Sequence, residues 1–431
     1  MTTLTSTWTE GDGACPASTL GRAYRPLEHD GFYDFIAKAQ AEEPVFFSEA
    51  IRYWVVTRRA DVLAVLADPD SFSAAITLAP VHPFPPEVVA ALRDGGFSFQ
   101  PTLVNSDASV HSRLRPKAQR FLNAKRYATY ADRIRAIVRD HIAAIGEAPR
   151  VDLVAALTYE VPAKVLALLL GIEDISPRQI KVWADHRLGM TFGVLEGDEL
   201  AEAARQLLDY WKYCERLVAD RQDNPRDDYA SMLLDLRGGD DGVLTITDVV
   251  GLVFGVMVAG HETTTNAAGN LIHALLTDRD QWERLKADPT LIPNAVEEGL
   301  RHSSSVVNWR RRTTRPVTVG GVDIPEGANV LISLAGANND PEVFENPRSF
   351  DVGRENVKDH VAFGKGRHFC LGAPLARLEI TIILEELLAA FPDMTLAPGF
   401  QPAWVPTVTF RGPLSLEVLP RGGAMTTGEP A

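Results

Sequence analysis

The sequence predicts a mainly α protein, a single large helical domain with a small β-sheet region at one side. Three observations carry that expectation. Most of the chain repeats its apolar residues at helical spacing, as in 133–145, 199–221 and 374–390. β-type runs are few and short, at 45–47, 53–57, 317–319, 322–324 and 329–333, the third and fourth joined by Gly320-Gly321. Neither a Gly/Ser linker nor a long charge run divides the 431 residues, 45% of them hydrophobic, so one core is expected. The domain is placed at 26–421, with the polar 1–25 and the Gly- and Thr-containing 422–431 as mobile ends.

Charge and cysteine content narrow the functional classes. Lys and Arg number 43 against 57 Asp and Glu, a net charge of -14 that repels nucleic acid and anionic membranes. Cys15, Cys214 and Cys370 show no CxxC spacing, so neither a disulfide framework nor a structural zinc site is expected. The start lacks a basic region and an apolar core of the signal type, and no run approaches the ~18 apolar residues of a membrane span. A soluble, cytoplasmic monomer is the expectation.

The most informative helix is predicted from Thr247 or Asp248 to about Leu276, nearly apolar all round through 249–259. At ~1.5 Å per residue it spans roughly 40 Å, about the width of the domain. Its middle works against helix formation: Gly260 costs about 1 kcal/mol relative to Ala, and Thr263-Thr264-Thr265 is a β-branched run. A core helix weakened at its centre implies that something fits against it there.

Three motifs fail on chemistry. His261-Glu262 begins like a helical zinc-protease site, but Thr265 holds the second ligand position. Gly255 to Gly260 has phosphate-loop spacing, but His261 stands where the Lys belongs. Gly364-Lys365-Gly366 is a short turn. The segment that survives is Phe363-Gly364-Lys365-Gly366-Arg367-His368-Phe369-Cys370-Leu371-Gly372, running into Ala373-Pro374 and an apolar helix. Pro374 suits a first helical turn, which sets Cys370 just before a helix N-terminus, where free N–H groups and the dipole favour a thiolate, a soft ligand for iron.

This segment resembles the cysteine-ligand loop of the cytochrome P450 family, Phe-x-x-Gly-x-(Arg/His)-x-Cys-x-Gly, at every fixed position. Further motifs follow in the family's order. His111-Ser112-Arg113-Leu114-Arg115 is similar to its haem-propionate helix and Ala259-Gly260-His261-Glu262-Thr263-Thr264 to its oxygen-activation motif. Glu298-Gly299-Leu300-Arg301 is similar to its Glu-x-x-Arg helix, and 344–351 with Arg354 to its meander. Details at 43–47, 53–57 and 410–413 look most like the haem domains of self-sufficient bacterial members that carry a fused reductase.

The resemblance implies Cys370 as axial ligand of haem b, with Phe363, Gly364, Gly372, Ala259 and Gly260 against the macrocycle. It implies His111, Arg115, His368 and Arg311, of the Arg310-Arg311-Arg312 run, as partners of the propionates. Glu298, Arg301 and Arg354 become a structural network behind the haem. Gly260 is expected to leave room for dioxygen and substrate, Thr263 to hold bound oxygen or water, and Glu262 to relay protons. Substrate-pocket candidates are Phe84, Phe97, Phe99, Met190, Met257, Val306, Val307 and Val408, which equally suit plain core.

The activity implied is a monooxygenase that inserts one oxygen atom of dioxygen into a mainly hydrophobic small molecule. The short stretch after the signature helix leaves no fused reductase, so electrons are expected from NAD(P)H through a separate ferredoxin reductase and ferredoxin. Lys365, Arg367 and Arg377 offer a basic docking patch. A peroxide-driven peroxygenase and a haem or ligand sensor use the same cofactor. A Cys370 hydrolase, which needs no pigment, ranks last.

Overall fold

The computed structural model describes residues 18–422. Nine helices organise the part that matters here: α1 (Ala108–Gln119), α2 (Ala131–Ile145), α3 (Val161–Leu170), α4 (Pro177–Phe192), α5 (Gly197–Asp223), α6 (Ile246–Ala259), α7 (Glu262–Thr277), α8 (Ile292–His302) and α9 (Ala373–Ala390). The mainly α expectation with a small β region holds. Helix α2 buries Ile134, Val138, Ile142 and Ile145, the i, i+4 stripe that its sequence spells, and lies along α9. Helix α7 packs on α8 and α9 and is the centre of the largest apolar cluster.

The long helix departs from expectation in two ways. It begins at Ile246, because Thr245 and Asp248 cap each other: the Thr245 hydroxyl accepts from the Asp248 N–H at 3.0 Å, and the Asp248 carboxylate accepts from the Thr245 N–H at 2.8 Å. It is also broken. Helix α6 ends at Ala259, His261 leaves helical geometry at φ -123° and ψ -46°, and α7 restarts at Glu262. Taken together, Ile246–Thr277 has the length and apolarity to cross a membrane, yet half of its most apolar window is buried within the protein, as in a core helix.

The main sheet comprises β1 (Val45–Ser48), β2 (Tyr53–Val56), β3 (Phe72–Ser73), β4 (Asn308–Thr313) and β5 (Asn329–Ser333), in the order β1-β2-β5-β4-β3. Only β2 and β5 run parallel, with Val55 opposite Leu331. Strand β4 was not legible, because Asn-Trp-Arg-Arg-Arg-Thr has no apolar alternation; Arg310 and Arg311 are buried, Arg310 through carbonyls distant in sequence. The hairpin 317–324 turns on Gly320 and Gly321, both at positive φ, as a two-residue turn of this kind requires.

At the N-terminal end the packed domain starts earlier than residue 26. Ser18 caps a short helix, Thr19–Ala23, whose Leu20 and the following Tyr24 are buried, Tyr24 lying edge-on to Phe46. Cys15 and the remainder of the segments expected to be mobile, 1–17 and 423–431, lie outside the described residues.

Candidate active site

Cys370 sits in a loop that its glycines make possible. Gly364 and Gly366 take φ of 71° and 73°, which side-chain-bearing residues rarely adopt, and the Cys370 N–H closes the turn on the Phe363 carbonyl at 3.0 Å. Helix α9 starts three residues later, with Pro374 in its first turn. Cys370 is exposed although protein surrounds its thiol, so it faces a gap between packed elements. Its setting corrects one expectation. Burial raises the thiol pKa above the ordinary value, outweighing the N–H groups of Gly372 and Ala373 and the charges of Arg115 and Arg377.

The second element that the motifs single out is the broken middle of the α6–α7 pair, whose α7 packs on α9, the helix that follows Cys370. Ala259 is exposed and Thr263 half-exposed, between the buried Met257, His261, Glu262 and Thr264. The Thr263 hydroxyl donates to the Ala259 carbonyl at 3.1 Å, in place of a regular helical bond there. Gly260 has a different cause from the one expected: a Cβ on it would meet Leu166 Cδ1 of α3 at 2.9 Å and the Val256 carbonyl at 3.0 Å. The missing side chain lets α6 approach α3, and Ala259 is the small residue that borders the gap.

Glu262 turns away from the gap. It is buried and ion-paired with Lys181 of α4, and accepts from Asn266 Nδ2 at 3.1 Å. Lys181, itself 4% exposed, also donates to Asp185 Oδ1 at 2.8 Å, and Asp185 reaches the surface. Burial would raise the Glu262 carboxyl pKa; the Lys181 charge and hydrogen bond overcome that and hold it below the usual value. Sequence reasoning missed Lys181 and Asp185. Their only signal was a Lys and an Asp four apart in one helix.

Four cationic or potentially cationic side chains gather at one rim. The His111 and His368 rings lie 4.4 Å apart, and Arg115 Nη2 donates to the Phe369 carbonyl at 2.6 Å. His368 is pushed down to about 3 by burial, with Arg311, His111 and Arg115 adding to the effect. His111 Nε2 is buried without a partner. Arg311 donates only to the Arg310 carbonyl, and burial lowers it to about 10. Arg310 instead binds the Ala79 and Thr77 carbonyls, and Arg312 the side chain of Asn329. Two arginines with no ion-pair partner among the described residues, beside two imidazoles that burial keeps neutral and one orphaned ring nitrogen, suit a ligand that brings anionic oxygens, which two propionates would supply. With the open sulfur and the gap beside Ala259, these residues fit haem.

Behind the loop, the Glu298 carboxylate and Arg301 are both 0% exposed and joined by two 2.7 Å bonds. Arg354 Nε reaches the same carboxylate at 3.1 and 3.2 Å. Arg301 and Arg354 also tie down the carbonyls of Pro347 and Glu345, fixing the meander.

The proposed substrate contacts divide. Met257, against Cys214 Sγ at 3.7 Å, Met190 and Val307 are buried. Phe97 belongs to an aromatic cluster with Phe99, Trp211 and Phe254, and Phe84 packs on the main core beside it. Val306 and Val408 join Leu188, Phe192 and Val258 in a separate apolar layer next to Ala259. A cleft of about 340 Å³ among Gly96, Gln100, Trp211 and Thr247 lies at the start of α6, roughly 20 Å along the helix from Ala259, and is not the reaction gap.

The Cytochrome P450 family model matches residues 199–399. The cytochrome P450 monooxygenase PikC of Streptomyces venezuelae is 34% identical over 400 residues, 91% of each chain. Among solved structures, cytochrome P450 CREJ in complex with (4-ethylphenyl) dihydrogen phosphate superposes with a TM-score of 0.89 at 34% identity, covering 93% of this chain and 99% of that one. The Tepidiphilus thermophilus P450 heme domain gives 0.88 at 32% identity, covering 93% and 97%. A cysteine loop opening one core helix against the broken middle of another, inside such a fold, defines a haem-dependent oxidoreductase. The chain belongs to the cytochrome P450 family and is a P450 monooxygenase.

Proposed function

We propose that the chain binds haem b through Cys370 and oxygenates a mainly hydrophobic small molecule in the cytoplasm, with NAD(P)H electrons delivered by a separate ferredoxin reductase and ferredoxin. The observations that carry this reading are the exposed Cys370 just before α9, the exposed Ala259 and half-exposed Thr263 at the break between α6 and α7, and the group His111, Arg115, Arg311 and His368, whose arginines have no carboxylate partner among the described residues. When bound, the haem supplies the redox chemistry that activates dioxygen.

The chain's own residues do the rest. Phe363 and Gly372 shape the cysteine loop, the cationic cluster fixes the orientation of the macrocycle, and Thr263 Oγ1 offers a hydroxyl at the gap. Protons start from exposed Asp185 and pass by way of Lys181 to Glu262, whose carboxylate is one residue from Thr263. Glu262 reaches Thr263 only by leaving Lys181, so a rotation of its side chain gates the transfer. Lys365 and Arg367 on the outer face of the cysteine loop offer positive charge to an acidic electron donor.

The test compares product formation with NAD(P)H, ferredoxin and reductase against peroxide alone. Product with the reductive system supports the reading. Product with peroxide only would assign a peroxygenase, and ligand-induced spectral change without any product would assign a sensor.

A further inference from the structure

Among the buried cations of the described residues, Arg310, Arg311 and Arg411 lack a carboxylate partner and three have one: Lys181 has Glu262, Arg301 has Glu298, and Arg221 has Asp228. Arg187 has none. It lies on α4, is 9% exposed, and its guanidinium donates to the Thr191 hydroxyl one turn further on. The nearest charge is of the same sign, Arg310, with Tyr210 the one other ionisable group that bears on it. Burial and Arg310 together lower Arg187 to about 10. Arg310 is equally without a carboxylate; its two terminal nitrogens bind the Ala79 and Thr77 carbonyls at 2.7 Å each, and its Nε is buried with no partner.

The two arginines flank one element. Arg310 Cζ stands 4.7 Å over the ring of Phe192, at the end of the helix that carries Arg187. Phe192 and Leu188 belong to the apolar layer with Val258, Val306 and Val408, and Val258 precedes Ala259 at the reaction gap. Folding alone gives no return for burying two uncompensated charges in such a layer. A guanidinium has five N–H donors, and one of Arg187's is used, so a planar fork remains free for an oxyanion. Arg310, with its terminal nitrogens taken by carbonyls, adds field and one N–H.

We propose that the substrate of this enzyme is an apolar molecule carrying an oxyanion terminus, a carboxylate or a phosphate ester, which Arg187 binds with the support of Arg310 while the apolar end extends toward Ala259 and Thr263. The inference rests on the reading of the gap as a monooxygenase site and adds the class of molecule that enters it. It also explains why α4 places a bare cation beside residues suited to plain core.

The experiment is a titration of the haem-loaded enzyme with octyl phosphate, octanoate, octanol and methyl octanoate, following the Soret band and thermal stability together. The anionic probes are expected to bind about tenfold or more tightly than their neutral counterparts, the ratio of one charge-assisted hydrogen bond. Arg187→Gln removes that preference, and Arg187→Lys keeps part of it. The stronger of the two anions identifies the terminus. Equal affinities, a preference that survives in Arg187→Gln, or no response to either anion at millimolar concentration overturns the proposal. An enzyme that shows no thiolate-type spectrum at all would instead fault the monooxygenase reading, so the two failures are separable.

Discussion

Glu298→Gln isolates the charge at the centre of the buried network, since it changes one oxygen to an amide and leaves volume nearly constant. The carboxylate accepts from Arg301 at 2.7 Å twice, from Arg354 at 3.1 and 3.2 Å, and from the Asp351 N–H at 3.1 Å. The amide nitrogen accepts nothing, so whichever oxygen it replaces, about two charge-assisted bonds are lost at roughly 1.5–3 kcal/mol each. Two guanidiniums, 0% and 9% exposed, are then buried without an anion. The expected loss is about 3–5 kcal/mol, a large share of the roughly 5–15 kcal/mol that holds a domain folded. Urea unfolding of the haem-loaded enzyme, followed by tryptophan fluorescence with the slope held common, measures it. Glu42→Gln, at the surface pair with Lys38 at 3.9 Å, is the reference and should cost about 0–1 kcal/mol. A loss below about 1 kcal/mol in Glu298→Gln would refute the claim that this network holds the meander.

Three further outcomes follow from the geometry. Lys181→Met leaves Glu262 buried without its cation, so its carboxyl pKa rises and the acid limb of coupled turnover moves to higher pH; an unmoved limb would show that the pair carries no protons. Burial would raise Glu297, but hydrogen bonds from His360 at 2.8 Å and Arg377 at 2.5 and 2.9 Å bring it down to about 2. A depressed carboxyl contributes stability above its ordinary value of 4.5 that is lost as pH falls toward 2, so Glu297→Gln should flatten the acid dependence of the urea midpoint in that window and nowhere else. Gly260→Ala drives a methyl into Leu166 and should cost about 1–3 kcal/mol, but less in a Leu166→Ala background, as a double-mutant cycle measures; the same cost in both backgrounds would return the glycine to a role at the gap.

What the sequence showed depended on how local the cause was. The stripe of α2, the strand 329–333, the cysteine loop and the Glu298–Arg301 spacing are set by neighbours in the chain, and the structure has them where periodicity and motif put them. Strand β4 was hidden because Arg310 is buried against the carbonyls of Thr77 and Ala79, more than two hundred residues earlier in the chain. The helix break at Gly260 was visible as weak propensity, but its cause was not, since Leu166 lies almost a hundred residues earlier. Glu262 read as an acid at the reaction centre, and only the fold shows Lys181 holding it aside. Met190, Met257 and Val307 could not be assigned to pocket or core from hydrophobicity, which is the same in both.

The most direct test is the spectrum of the reduced enzyme under carbon monoxide. The native chain, and Cys214→Ala with its buried thiol removed, should show the red-shifted Soret band of a thiolate-ligated ferrous carbonyl, and Cys370→Ser should lose it while still retaining bound haem. Persistence of that band in Cys370→Ser would contradict the assignment of Cys370 as the iron ligand on which the site stands.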